Sequence, residues 1–121
     1  LAQYDAYRTE QQEWLKKVTE TDDFKSAKYR FVIIHIPPVE STWHGPLDIQ
    51  RKFLPVLNNK GITAMISGHL HKYIYAEPKS GHDFPIIINE HNTALEISAN
   101  EQKVAVLRKD TKGNTLNSLS F

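Results

Sequence analysis

Two apolar runs separated by a helical segment constrain the fold of this chain most. Residues Tyr29–Ile36 and Ile62–Ser67 are rich in branched residues, which is typical of strands buried on both faces. Between them we predict a helix from Pro46 to about Asn58, because proline suits a first helical turn and Gly61 suits the region after a helix end. A strand, a helix and a strand joined by short links form a βαβ unit, so the two strands should be parallel neighbours.

The flanking segments predict one more helix and several short strands. Thr9 and Gln12 form a capping-box pattern, which predicts a helix from about Glu10 to Thr19. Pro55 should kink or split the second helix. The predicted fold is of the α/β (α+β) class, with one βαβ unit followed by antiparallel strands, in a single domain over residues 1–121. Five short β-like runs at this spacing suggest an antiparallel meander: Tyr73–Ala76, Pro85–Ile88, Ala94–Ser98, Val104–Arg108 and Thr115–Phe121.

Three histidines stand at the ends of the two predicted buried strands. His35 lies at the end of the first run, two residues before Pro37, and Gly68-His69-Leu70-His71 follows the second run. The carboxyl ends of parallel strands meet at one edge of a sheet, so His35 and His69 should converge. Gly68 would let the backbone turn without a Cβ penalty. If the segment stays extended, His69 and His71 project to the same side and could address two adjacent metal ions.

With these residues the chain resembles the calcineurin-like metallophosphoesterases, whose late motifs are a strand ending in His before Pro, and Gly-His-x-His. The resemblance implies the C-terminal half of that family's four-layer α/β/β/α sandwich. It also implies a hydrolase that cleaves phosphate mono- or diesters with two divalent or trivalent ions of the Mn, Fe or Zn class. By the same resemblance, His35 and His69 match ligands of one metal ion and His71 matches a ligand of the other, with Gly68 and Pro37 structural at the site.

The loop after the first strand holds further candidates. Trp43 and His44 would lie near a phosphate-ester substrate, although solvated loop residues are the plain alternative. His82 and His91 fall in polar segments and are expected to be exposed. Asp22 and Asp23 are expected to form a solvated turn.

The early motifs of the family are missing from this sequence. There is no Asp-x-His and no Gly-Asp, and the one Gly-Asn, at Gly113-Asn114, is followed by Thr115 rather than His. We therefore interpret the chain as the C-terminal part of a longer phosphoesterase domain, with its N-terminal half as the natural partner. Three neutral imidazoles cannot offset the charge of two ions, so the chain alone should bind at most one ion, weakly, and should be nearly inactive. We also expect it to self-associate, because the missing half would leave apolar surface and a strand edge uncovered.

The composition limits the kinds of partner, metal site and location that the chain can have. The 121 residues carry a formal net charge of +1, so nothing indicates a nucleic-acid partner. The chain contains no cysteine, which excludes disulfides and thiolate metal sites. No apolar stretch approaches the roughly 20 residues that span a membrane, which predicts a soluble protein, and its location stays open. Two alternatives remain at this point: a non-catalytic binding module on the same fold, and a mononuclear zinc-binding protein that uses the same three histidines.

Overall fold

A computed structural model describes residues 2–121, and side chains from residue 4 onward. The chain is a mixed α+β protein with two β-sheets. Its helices are α1 (Ala2–Val18), α2 (Asp22–Ser26) and α3 (His44–Leu57). Its strands are β1 (Phe31–Ile33), β2 (Ala64–Ser67), β3 (Ile74–Ala76), β4 (Ile86–Ile88), β5 (Ala94–Ala99), β6 (Val104–Lys109) and β7 (Thr115–Ser120).

The first sheet has four strands in the order β1-β2-β4-β3. β1 and β2 run parallel, with Val32 opposite Met65, as the βαβ pattern predicts. β4 also runs parallel to β2, and β3 pairs with β4 in the antiparallel sense. The prediction that all five later strands form one meander is therefore wrong: β3 and β4 form the antiparallel pair that it implies, but they belong to the first sheet, where β4 lies parallel to β2. The reason is visible in β4: its three isoleucines are fully buried, which suits a central strand covered on both faces.

The second sheet is the antiparallel meander β5-β6-β7, as predicted for these three strands. It packs on one face of the first sheet, where Ala64 and Ile87 meet Val104 and Val106. The opposite face carries Met65 and other apolar residues that pack against α1, α2 and α3. The chain thus forms three layers: helices, the first sheet and the second sheet.

Helix α1 begins well before the predicted start, and the capping-box interpretation is wrong. Thr9 lies inside the helix, and its hydroxyl donates a hydrogen bond of 3.0 Å to the carbonyl oxygen of Asp5, one turn earlier. A threonine hydroxyl can bond in this way within a helix, so the sequence pattern alone does not mark a helix start. Helix α3 continues through Pro55 and is not split there. No helix within residues 2–121 combines the length and the apolar character needed to cross a bilayer.

The edge strand β1 is the least covered part of the first sheet. It has a neighbour on one side only, β2. The side chain of Ile33 is 79% exposed, although the apolar run predicts a strand buried on both faces. The reason is the width of the second sheet: its three strands pack against β2 and β4 and reach Phe31 at the start of β1, but leave Ile33 open. Trp14 of α1 is 62% exposed and lines the same surface groove as Ile33.

A buried carboxylate joins α1 to α3. Asp48, 1% exposed, accepts hydrogen bonds from Arg8 Nε at 2.6 Å and from Arg51 at 2.6 Å, and Lys52 lies 3.1 Å away. Burial raises the pKa of Asp48, but the bonds from these three cations outweigh it, and the pKa lies well below its usual range.

Candidate metal centre

His35 and His69 meet at the carboxyl edge of the first sheet. The backbone beyond β1 stays paired with the backbone beyond β2: the Ile34 amide donates to Ile66 at 3.0 Å, and the Gly68 amide donates to His35 at 3.0 Å. The two rings stand edge to face, with centroids 5.1 Å apart and an interplanar angle of 81°. His35 Nε2 and His69 Nδ1 face each other at 3.3 Å.

This separation suits two ligands of one metal ion. Two imidazole nitrogens, each about 2.1 Å from a tetrahedral zinc ion, lie about 3.4 Å apart. Without an ion, the same approach is a hydrogen bond between the two rings, with donor and acceptor set by their tautomers. The facing nitrogens of His35 and His69 therefore fit a shared ion of the kind that imidazole prefers, such as zinc.

The backbone of the Gly-His-x-His segment is turned, so the expectation of an extended segment is wrong. His69 and His71 both have left-handed backbone conformations, with φ of 69° and 59°. The Leu70 amide donates to the Gly68 carbonyl at 2.8 Å, which closes a tight turn. Left-handed conformations cost roughly 1–2 kcal/mol for residues other than glycine. Strain of this kind gathers at functional sites, and two strained histidines in three residues are an indication of one.

Gly68 does not have the steric role that the sequence suggests. Its φ lies outside the left-handed region, and a Cβ atom built there would meet nothing within 4 Å. The sharp turn is made by the two histidines that follow it. Pro37 is fully buried, in keeping with a structural role after the first strand.

His71 points to a different partner from His69. Its ring packs against His91, with centroids 5.6 Å apart and an interplanar angle of 50°. Within residues 4–121, no three His, Asp or Glu side chains come together as a set that could hold a metal ion. The histidines at this edge thus form two pairs, His35 with His69 and His71 with His91.

The two residues expected to lie near substrate, Trp43 before α3 and His44 at its first position, differ in their contacts. The indole of Trp43 is 58% exposed and lies over His69, with ring centroids 6.3 Å apart. His44 turns toward α1, where its Nε2 lies 2.8 Å from a carboxylate oxygen of Asp5. That hydrogen bond lowers the pKa of Asp5. Trp43 is therefore beside the histidine pair, and His44 is held in a contact with the first helix.

His91 is the residue at this edge that sequence reasoning missed. It lies in the loop after β4, and because β4 runs parallel to β2, that loop emerges at the same edge as His69. The sequence signal was the unbroken isoleucine run of β4, which indicates a central parallel strand. The expected exposure of His91 agrees with the structure, but its neighbour His71 was not foreseen.

The other polar residues considered in the sequence lie away from the histidine pairs. The expectation that His82 is exposed is wrong: it is 2% exposed, and its Nδ1 lies 2.8 Å from the Phe84 carbonyl oxygen, beside the Phe84 ring. Asp22 and Asp23 are exposed, as expected, but they begin helix α2 instead of forming a turn. The Thr21 hydroxyl caps that helix by accepting a hydrogen bond from the Phe24 amide.

Comparison of the chain with models of known protein families gives no match, and no curated protein matches it.

Proposed function

We propose that this chain is the imidazole-bearing part of a calcineurin-like metallophosphoesterase, and that the parent protein hydrolyses phosphate mono- or diesters. The observation that carries the proposal is the 3.3 Å approach of His35 Nε2 to His69 Nδ1 at the carboxyl edge of a parallel βαβ unit. The order of elements and the strained Gly-His-x-His turn support the same family. The three observed layers would be part of its four-layer sandwich.

The residues present fit one metal ion better than two. His35 and His69 would hold one ion, and His71 would contribute to the other. When bound, two such ions supply Lewis-acid assistance to phosphate-ester hydrolysis. The chain's own contribution is to orient the neutral ring nitrogens and to place Trp43 beside them, where its exposed face can contact an ester substituent. Carboxylates to offset the metal charge would come from preceding residues of the parent, so this chain alone should have little activity.

Zinc binding to this chain tests the ligand assignment. We expect Zn²⁺ to shift the NMR signals of the His35 and His69 rings together. Changing either residue to alanine should weaken binding at that pair at least about tenfold, since even residues that only support ligands cost 10–100-fold. Thr111→Ala, in the exposed β6–β7 turn, is a matched control that should bind as the unchanged chain does. If the NMR signals of the two rings respond to Zn²⁺ with different affinities, the assignment is contradicted.

Hydrolysis is tested on the parent protein. With Mn, Fe or Zn, it should cleave p-nitrophenyl phosphate or its diester, and its sequence before the present chain should contain Asp-x-His, Gly-Asp and Gly-Asn-His. Absence of these motifs would refute the enzyme hypothesis.

A mononuclear zinc protein is the second candidate. The 3.3 Å approach of His35 Nε2 to His69 Nδ1 supports it, because two imidazoles at this spacing can share one ion; His71, which packs against His91, would have to turn to become the third ligand. Elemental analysis of the parent protein separates the two: one ion per chain without hydrolysis supports the mononuclear alternative, and two ions with hydrolysis support the phosphoesterase.

A further inference from the structure

The open edge of β1 carries backbone groups that point away from the first sheet. The Arg30 carbonyl oxygen and the Ile34 amide form hydrogen bonds of 2.7 Å and 3.0 Å to residues 63 and 66, just before and within β2. Successive residues of a strand direct their amide and carbonyl groups to opposite sides. Because residues 30 and 34 face β2, Phe31 and Ile33 direct these groups to the open edge. Such a row of groups is a template for a further strand.

The sequence of β1 contains none of the features that commonly protect an edge strand. Charged side chains, proline and β-bulges give that protection in many proteins. Residues 31–34 are Phe, Val, Ile and Ile, and β1 keeps a regular register with β2. The side chain of Ile33 is 79% exposed at this edge. An uncharged, apolar edge of this kind favours pairing with another uncharged, apolar strand.

Three exposed aromatic side chains of α1 lie along the same side of the molecule. Tyr4, Tyr7 and Trp14 are spaced by three and seven residues, which places them on one face of the helix. Their exposed fractions are 66%, 58% and 62%. Trp14 lines one surface groove and the two tyrosines line the next, and Gln11 and Ile34 belong to both grooves. This aromatic face of α1 therefore runs beside the end of β1.

The area of this surface suits an interface between two proteins. An aromatic side chain buries about 150–250 Å² when it is covered, so three that are about 60% exposed offer roughly 300–450 Å². A stable interface takes about 800 Å² from each partner. The aromatic face of α1 supplies about half of that area, and the β1 edge with Ile33 extends it.

We propose that the β1 edge and the aromatic face of α1 dock a second copy of this chain, with the two β1 strands paired antiparallel about a twofold axis at Val32. In this register Phe31 of one copy lies opposite Ile33 of the other, and their outward amide and carbonyl groups form hydrogen bonds across the axis. Phe31 packs on the apolar cluster between the two sheets, so each exposed Ile33 gains an apolar neighbour. The two four-stranded sheets become one continuous sheet.

The antiparallel sense follows from the need to cover both parts of the surface. A twofold axis perpendicular to the joined sheet keeps α1 of both copies on the same face of that sheet, where the aromatic faces meet across the axis. The sequence predicts self-association from uncovered surface alone, and the geometry adds the place and the register. The proposal does not rest on the proposed function, because neither the β1 edge nor the aromatic face of α1 contains a candidate metal ligand.

A single cysteine at the axis tests the register. The chain has no cysteine of its own, so Val32→Cys introduces the only thiol. In the proposed dimer the two Cα atoms at position 32 would lie about 4.5 Å apart, within the range of about 4.4–6.8 Å that a disulfide needs. Thiols held together in a complex have an effective concentration on the order of mM, so at about 0.1 mM chain the gain should be at least about tenfold. We therefore expect the equilibrium constant for the disulfide dimer in glutathione buffer to be at least about tenfold larger for Val32→Cys than for Thr111→Cys, a control in the exposed β6–β7 turn.

Ile33→Cys reports a shifted register. In the proposed pairing the two copies of residue 33 lie diagonally, about 7–8 Å apart, so this variant should form no more disulfide dimer than the Thr111→Cys control. Cross-linking through residue 33 without cross-linking through residue 32 would overturn the proposed register.

The aromatic face of α1 is tested on the chain without added cysteine. Trp14 is exposed, so Trp14→Ala leaves the core intact, and it should weaken the dimer in sedimentation at least about tenfold, since covered tryptophans carry much of the energy of interfaces. Leu116→Ala removes an exposed apolar side chain from β7 and should leave the dimer unchanged. If Val32→Cys cross-links no more than the control, with its fold checked by circular dichroism, or if Trp14→Ala has no effect, the proposal is overturned and the edge is left for a strand of the parent protein.

Discussion

The left-handed backbone at His71 predicts that glycine gives a more stable protein than alanine at this position, the reverse of the usual order. At a residue with φ of 59°, a side chain with a Cβ atom costs roughly 1–2 kcal/mol that glycine does not. Glycine loses about 0.5–1 kcal/mol through its greater freedom in the unfolded chain. His71→Gly should therefore unfold with a free energy about 0.5–1 kcal/mol higher than His71→Ala. Both variants remove the same imidazole, so the effect of removing the ring on stability cancels between them.

The neighbouring Lys72 provides the matched control. It is exposed and lacks a positive φ, so alanine should be more stable than glycine there. The assay is urea unfolding of the four variants without metal, with equal m-values as the condition for comparing them. A higher stability of alanine than of glycine at both positions would refute the idea that the segment stores strain.

Three further perturbations test other parts of the structure. Asp48→Asn should lower the free energy of unfolding at neutral pH by about 2–4 kcal/mol, because it leaves its cations without a buried anion. Folding lowers the pKa of Asp48, so the stability that this carboxylate contributes is fully present above its unfolded pKa and is lost as the pH falls below about 4. The free energy of unfolding of Asp48→Asn should therefore change less with pH in this acid range than that of the unchanged chain. Self-association through the open edge should appear in sedimentation as a dimer at high concentration, and Ile33→Lys should yield monomer; a monomeric unchanged chain would contradict this. Gly68→Ala should change thermal stability little, and a large loss would mean that Gly68 has a close neighbour.

The sequence predicted the elements well because their signals are local. The parallel pairing of the strands at residues 31–33 and 64–67 followed from one helix between two apolar runs. The start of α1 was wrong because a threonine can bond back within a helix as easily as it can cap one. The predicted position of β4 was wrong because strand order depends on which faces of each strand are covered. The sequence of a short strand does not by itself specify that order.

The candidate site was predictable in part. His35 and His69 could be placed at one edge because both follow parallel strands. His91 was not placed at this edge, since its position depends on β4 entering the first sheet beside β2. The direction of His71 also escaped prediction, because it depends on the φ angles of the turn.

The two left-handed histidines have an evolutionary consequence. A lineage that did not need the proposed metal centre would gain stability by replacing them, and the replacements that cost least are glycine and asparagine, which tolerate this conformation best. β-branched residues would be the least acceptable. Among descendants of this fold, Gly or Asn at positions 69 and 71 would then record a lost centre, and histidine at both positions would record one still under selection.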